Sequence, residues 1–133
     1  MTYEPKPIQR YTPIFNDRTW GTEVFIAETP HYLGKLLFYR AGRGGGLQYH
    51  VDKDETFYLH SGRALVTFDD GSGLVTREME PGESFHIPPG AVHQFQAVED
   101  CVVFEASTTQ YNDRVRMEAH YGWPETGGLP TTR

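Results

Sequence analysis

Residues 42–62 read GRGGGLQYHVDKDETFYLHSG and residues 82–93 read GESFHIPPGAVH. Five residues separate Gly42 from Gln48, four separate His50 from Glu55, and six separate Glu55 from Gly62. Nineteen residues later Gly82 opens the second stretch, with Pro88-Pro89-Gly90 five residues on and His93 after two more. Alternate side chains of a strand share a face, so Gln48 and His50 can aim at one point while Tyr49 points elsewhere. Glu55 opens the next run and His93 opens another that a closed sheet can bring near, so four ligands from three strands can meet at one divalent metal ion. The glycines and prolines fix the tight corners between the runs. Two oxygen and two imidazole donors suit zinc, iron, manganese, cobalt or nickel, and affinity order alone does not choose among them.

Outward from this centre the chain breaks into short β-like runs: 22–28, 35–40, 47–51, 55–60, 64–69, 74–77, 84–87, 92–97 and 101–107. Turn residues separate them at 42–46, 61–62, 69–73, 81–82 and 88–90. Strands this short and evenly spaced predict an all-β sandwich or barrel. The composition agrees, with 14 Gly, 9 Pro, 8 Tyr and 8 Phe in 133 residues, a length that suits one domain. Residues 1–17 are expected to be an extended N-terminal arm, since Pro5, Pro7 and Pro13 interrupt it. Residues 18–122 are the expected barrel and 123–133 a loose tail, and the segment 112–118 is the one helix-compatible piece.

The net charge of −6 argues against nucleic-acid or anionic-membrane partners, because no basic face outweighs the acidic residues. No stretch resembles a signal peptide or a membrane span, which makes a cytoplasmic location the expectation. Cys101 stands alone in an apolar run and reads as a small buried hydrophobe. The glycine cluster 42–46 lacks the Lys-Ser/Thr and helix of a phosphate loop and reads as a flexible corner. His60 has the opposite parity to Glu55 and should face away from the centre.

The spacing resembles the two motifs of the cupin superfamily, Gly, five, His-x-His, three or four, Glu, six, Gly, and Gly, five, Pro-x-Gly, two, His, three, Asn. Gln48 stands at the first His and Ala97 at the final Asn; the other positions agree. The resemblance implies a single jelly-roll barrel, or double-stranded β-helix, with a short C-terminal helical turn. Leu47-Gln48-Tyr49-His50 narrows the likeness to phosphomannose isomerases and the isomerase domain fused to mannose-1-phosphate guanylyltransferases. Arg18-Thr19-Trp20-Gly21, Lys35 and the ending from Asn112 to Gly122 fit that type. Ala119-His120 and Trp123 depart from it, where an acidic residue and an Arg are usual.

What this implies is one divalent metal ion, zinc first, and isomerisation of an aldose to a ketose, with a sugar or sugar phosphate as the small-molecule substrate. His86 and Glu118 are the candidate bases. Lys35 and Arg116 are candidates to hold phosphate or enediolate charge; the plainer reading makes both surface cations, turns His86 away from the pocket and leaves Glu118 solvated or ion-paired. The rival functions are a non-catalytic sugar- or metabolite-binding cupin and a metal-dependent dioxygenase. Exposed strand edges make a homodimer the expected assembly.

Overall fold

The computed structural model describes residues 2–124. Eleven strands alternate with turns: β1 (Ile14–Arg18), β2 (Gly21–Glu28), β3 (Leu33–Tyr39), β4 (Gln48–His50), β5 (Glu55–Ser61), β6 (Ala64–Asp69), β7 (Leu74–Met79), β8 (Ser84–Ile87), β9 (His93–Ala97), β10 (Cys101–Ser107) and β11 (Arg114–Arg116). They form a six-stranded sheet in the order β1-β2-β3-β10-β5-β8 and a five-stranded sheet in the order β11-β4-β9-β6-β7. Every pairing is antiparallel. This is the expected all-β jelly roll, and a single 3-10 turn at Ala119–Tyr121 is the helical element among the described residues.

Alternation decides what each strand buries. On β5, Glu55, Phe57 and Leu59 are buried while Tyr58 and His60 are exposed; on β10, Cys101, Val103, Glu105 and Ser107 are buried. The core joins Trp20, Leu37, Tyr39, Phe57, Leu59 and Phe95 to smaller residues of both sheets. Trp20 is fully buried and stacks on Tyr39 with ring centroids 4.3 Å apart. Each such side chain contributes roughly 1.5–3 kcal/mol by leaving water. Cys101 belongs to this core, its Sγ 3.1 Å from the Arg63 carbonyl and 3.2 Å from that of Glu99.

Two glycines of the corners have no substitute. Gly62 has φ of 95°, and a Cβ there would lie 2.2 Å from the Asp100 carbonyl oxygen. A Cβ on Gly44 would lie 2.2 Å from the Phe95 carbonyl oxygen. Gly44 is bridged to Gln96, and Gly42 and Gly45 donate their N–H groups to Ala97 and Phe95. The segment 42–46 is therefore zipped to β9, a fixed corner where a flexible one was expected.

The sequence reading also placed helix-compatible chain at 112–118, and the structure puts strand β11 there, pairing with β4. Ile14–Arg18, most of which lay in the expected arm, is strand β1, paired with β2. Residues 2–13 have no regular structure. Of the expected tail, Trp123 and Pro124 are described and the rest lies outside the described residues. No described helix is long and apolar enough to cross a membrane.

Candidate metal centre

Three strands and one corner build the centre. Gln48 and His50 are buried on β4 with Tyr49 turned away between them, Glu55 opens β5, and His93 opens β9 directly opposite Gln48. One ligand atom each from His50, Glu55 and His93 can be chosen so that all lie within 4.8 Å of one another. Glu55 Oε1 is 3.6 Å from His93 Nε2, and Glu55 Oε2 is 3.7 Å from His50 Nε2.

The ring orientations follow from hydrogen bonds on the far side. His93 Nδ1 lies 2.9 Å from the Ala91 carbonyl, which can only accept, so Nδ1 carries the proton and Nε2 presents a lone pair to the centre. His50 Nδ1 donates to Asp113 Oδ1 at 3.1 Å, with the same consequence. Asp113 is itself held by the backbone N–H groups of Asp52 and Lys53. Burial pushes both imidazoles below the ordinary 6.5, and Lys53 lowers His50 further. Neutral imidazole is the form that ligates.

The buried atoms at this point lack partners. Gln48 Oε1, His50 Nε2 and Glu55 Oε1 accept no hydrogen bond, and Glu55 Oε2 meets the Lys53 ammonium at 2.9 Å without an aligned one. Buried polar atoms are normally satisfied, and a divalent ion beside His50, Glu55 and His93 would give His50 Nε2 and Glu55 Oε1 the partner they lack. His50, Glu55 and His93 therefore fit a metal, and the buried, unpartnered Gln48 Oε1 is a neutral oxygen on the same strand as His50; this chemistry does not select which metal.

The candidate catalytic residues are not brought to this point together. Lys35, read as a surface cation in the plainer alternative, is fully buried because Glu23 at 3.3 Å and Glu105 at 3.6 Å compensate its charge. Glu118, read there as solvated or ion-paired, is also buried, with Arg116 Nη1 3.5 Å away. His86 shares the parity of Thr56 rather than Glu55, and its exposed ring bonds Asp54 at 2.7 Å through Nε2. Lys35, Arg116 and Glu118 line neither of the two larger cavities beside the centre. One, of about 350 Å³, includes His93, Phe68, Arg77, Phe85 and His86. The other, of about 500 Å³, includes Glu55, Tyr32, Thr56, His86 and Phe104.

Sequence reasoning missed Asp113, Lys53, Glu105 and Glu23. Glu23, Lys35 and Glu105 were findable, because each is a charged residue at an inward-facing position of its strand. It also missed Arg77, which stands opposite the buried Val66 on the edge strand β7 and so lies on the cavity side of the sheet while remaining exposed.

Residues 36–107 match the family described as the cupin domain, more than half of the chain. The chain belongs to the cupin family. Among curated proteins this cupin is 29% identical over 109 residues to mannose-1-phosphate guanylyltransferase 2 of Escherichia coli O157:H7. The match covers 78% of the chain and 22% of that protein, so the cupin spans about a fifth of its relative's length. Solved structures with the same fold include the capsular polysaccharide assembling protein CapF of Staphylococcus aureus, with TM-score 0.70, 19% identity, and coverage of 80% of this chain and 32% of that one. KdgF of Halomonas sp. gives 0.65 at 21% identity, covering 73% of this cupin and 88% of KdgF. Oxalate decarboxylase of Bacillus subtilis, described with Mn(II) centres, gives 0.67 at 18% identity and covers 91% and 38%. At these identities the likeness is one of fold.

Proposed function

We propose that this cupin is a metal-dependent isomerase that interconverts the aldose and ketose forms of a sugar or sugar phosphate. The observation that carries the reading is the centre of Gln48, His50, Glu55 and His93, with its unpartnered buried atoms, beside a cavity that His93 lines together with Arg77. The Gln48-x-His50 motif and the guanylyltransferase relative, a protein of sugar-phosphate chemistry by its name, support the substrate class. The cavity volume suits a small polar ligand.

A bound divalent ion would polarise the carbonyl and neighbouring hydroxyl of such a ligand. The chain's own residues supply the binding contacts. Arg77 makes no hydrogen bond or ion pair among the described residues and is the lysine or arginine of the cavity lining, so it takes the place expected of Lys35 and Arg116 in meeting a phosphate. Phe68 and Phe85 flank the space as apolar walls for a sugar ring. His86 lines the same cavity but is tied to Asp54 through Nε2 on the face opposite Glu55, so it is not assigned the proton transfer.

The test is anaerobic incubation of zinc-loaded protein with mannose 6-phosphate, followed by NMR. Ketose formation is expected, about 10–150-fold slower in kcat/KM for Arg77→Gln, the worth of one charge-assisted hydrogen bond. Zinc-loaded protein that binds the ligand without turnover would overturn the isomerase and leave a binding cupin; iron content with oxygen consumption would replace it with an oxygenase. Zinc as the native metal and a homodimer complete the proposal, checked by mass spectrometry of protein purified without added metal and by sedimentation velocity.

A further inference from the structure

Inside the six-stranded sheet five charged side chains form an unbroken line. Glu23, Lys35, Glu105, Lys53 and Glu55 are each at most 2% exposed. They alternate in sign, with contacts of 3.3 Å from Glu23 to Lys35, 3.6 Å from Lys35 to Glu105, 3.1 Å from Glu105 to Lys53 and 2.9 Å from Lys53 to Glu55. Arg18 meets the outer end, 3.0 Å from Glu23. The inner end is the carboxylate of the metal centre.

A core is not stabilised by such a line relative to apolar residues of the same volume, because desolvating each charge offsets the attraction it gains. Its geometry suggests another use. Glu55 has two oxygens facing the centre, and Lys53 sits on one of them, Oε2, leaving Oε1 beside His93 without a hydrogen bond. Glu105 lies on the far side of Lys53 and draws the ammonium back.

We propose that Lys53 is a positioning residue for the metal centre: it holds Oε2 so that Glu55 offers Oε1 alone, and Glu105 sets how strongly Lys53 acts. The inference rests on the reading of Gln48, His50, Glu55 and His93 as the ligands. It requires two substitutions, each removing one charge from the same buried ion pair, to move the centre in opposite directions. Lys53→Met removes a positive charge beside the ion and frees Oε2, so the metal binds more tightly and gains a ligand oxygen. Glu105→Gln removes the negative charge that draws Lys53 back, so Lys53 leans harder on Glu55 and the metal binds more weakly. Both variants lose thermal stability, and a purely structural role for Lys53 would weaken metal binding in both.

The experiment is titration of the apo protein with cobalt(II), read by competition with a chelator and by the visible absorption of the bound ion. The expected result is affinity raised about tenfold or more by Lys53→Met and lowered about tenfold or more by Glu105→Gln, the range that partners of metal ligands usually command. The absorption of Lys53→Met should also weaken, as four-coordinate cobalt gives way to a higher coordination number, and Lys53→Arg should keep the wild-type spectrum. Lys53→Gln replaces Lys53→Met if the latter does not fold. Shifts of the same sign in Lys53→Met and Glu105→Gln, or none, with a wild type that binds normally, would overturn the positioning role alone. A wild type that binds cobalt no better than His93→Ala would overturn the centre itself.

Discussion

His50 and His93 each spend Nδ1 on a protein acceptor and turn Nε2 inward, and that one choice makes two strand residues a chelating pair. It also ties stability to pH. Both rings titrate below 6.5 in the fold because burial disfavours the imidazolium. Above pH 6.5 neither the folded nor the unfolded chain binds these protons, and stability is unaffected. As the pH falls through about 6.5 the unfolded chain takes them up first, so stability falls until the lower, folded values are reached. Urea unfolding of the apo protein should give a lower midpoint at pH 5.5 than at 7.5, and the drop should shrink in His93→Phe. Glu55, raised by burial and by Glu105, acts in the opposite sense at acid pH, so the difference between the two proteins is the quantity that isolates the ring. An equal drop in both would remove His93 from the account. The inward positions of Gln48, His50, Glu55 and His93 were legible because parity and spacing fix which way a strand residue points. Asp113 was not, since nothing local in Asn112-Asp113-Arg114 says that it will meet a ring 63 positions earlier.

Among the elements, β11 is, with β4, one of the two three-residue strands that bear on the centre. It lies along β4 with Arg114, Val115 and Arg116 opposite His50, Tyr49 and Gln48. Met117 N–H to Leu47 and Val51 N–H to Asp113 flank the Val115–Tyr49 pair, which makes that pair the mutually hydrogen-bonded kind. Val115→Pro removes a ladder donor there. The variant should keep its far-UV spectrum and lose metal affinity about 10–100-fold, because the strand that carries Gln48 and His50 loses its outer support; unchanged chelator competition would show that β4 holds itself. Runs such as 64–69, 84–87 and 101–107 matched their strands residue for residue, since alternation over a buried face is written in the residues themselves. Strands β1 and β11 bury little and exist through pairing with a neighbour, so their own residues carry no such pattern. The helix-compatible reading of 112–118 lost to that pairing.

At the scale of the whole molecule, a metal bound at this centre would couple the two sheets, because Glu55 belongs to the six-stranded one and Gln48, His50 and His93 to the five-stranded one. A ligand that binds only the folded form adds about 2.7 kcal/mol at one hundred times its Kd. Removing metal by dialysis against a chelator should therefore lower the Tm by several degrees, and re-adding zinc should restore it; His50→Ala should have the lower Tm already and show no response. A wild type indifferent to the chelator would mean that the sheets are clamped by packing alone. The line from Glu23 to Glu55 stayed hidden at this scale. Its members come from four segments between residues 23 and 105, and only closure of the six-stranded sheet, through the β2–β3, β3–β10 and β10–β5 pairings, sets them in order.

The same closure has a temporal side. His50 is synthesised early, His93 well after it, and Asp113, which orients the His50 ring, later still. A ribosome-bound chain that has reached His93 already owns all four ligands but has nothing to hold the His50 ring in place. An ion that needs an oriented His50 would thus be captured only after Asp113 has been made, and a chain stalled before Asp113 would meet metals with that ring unheld.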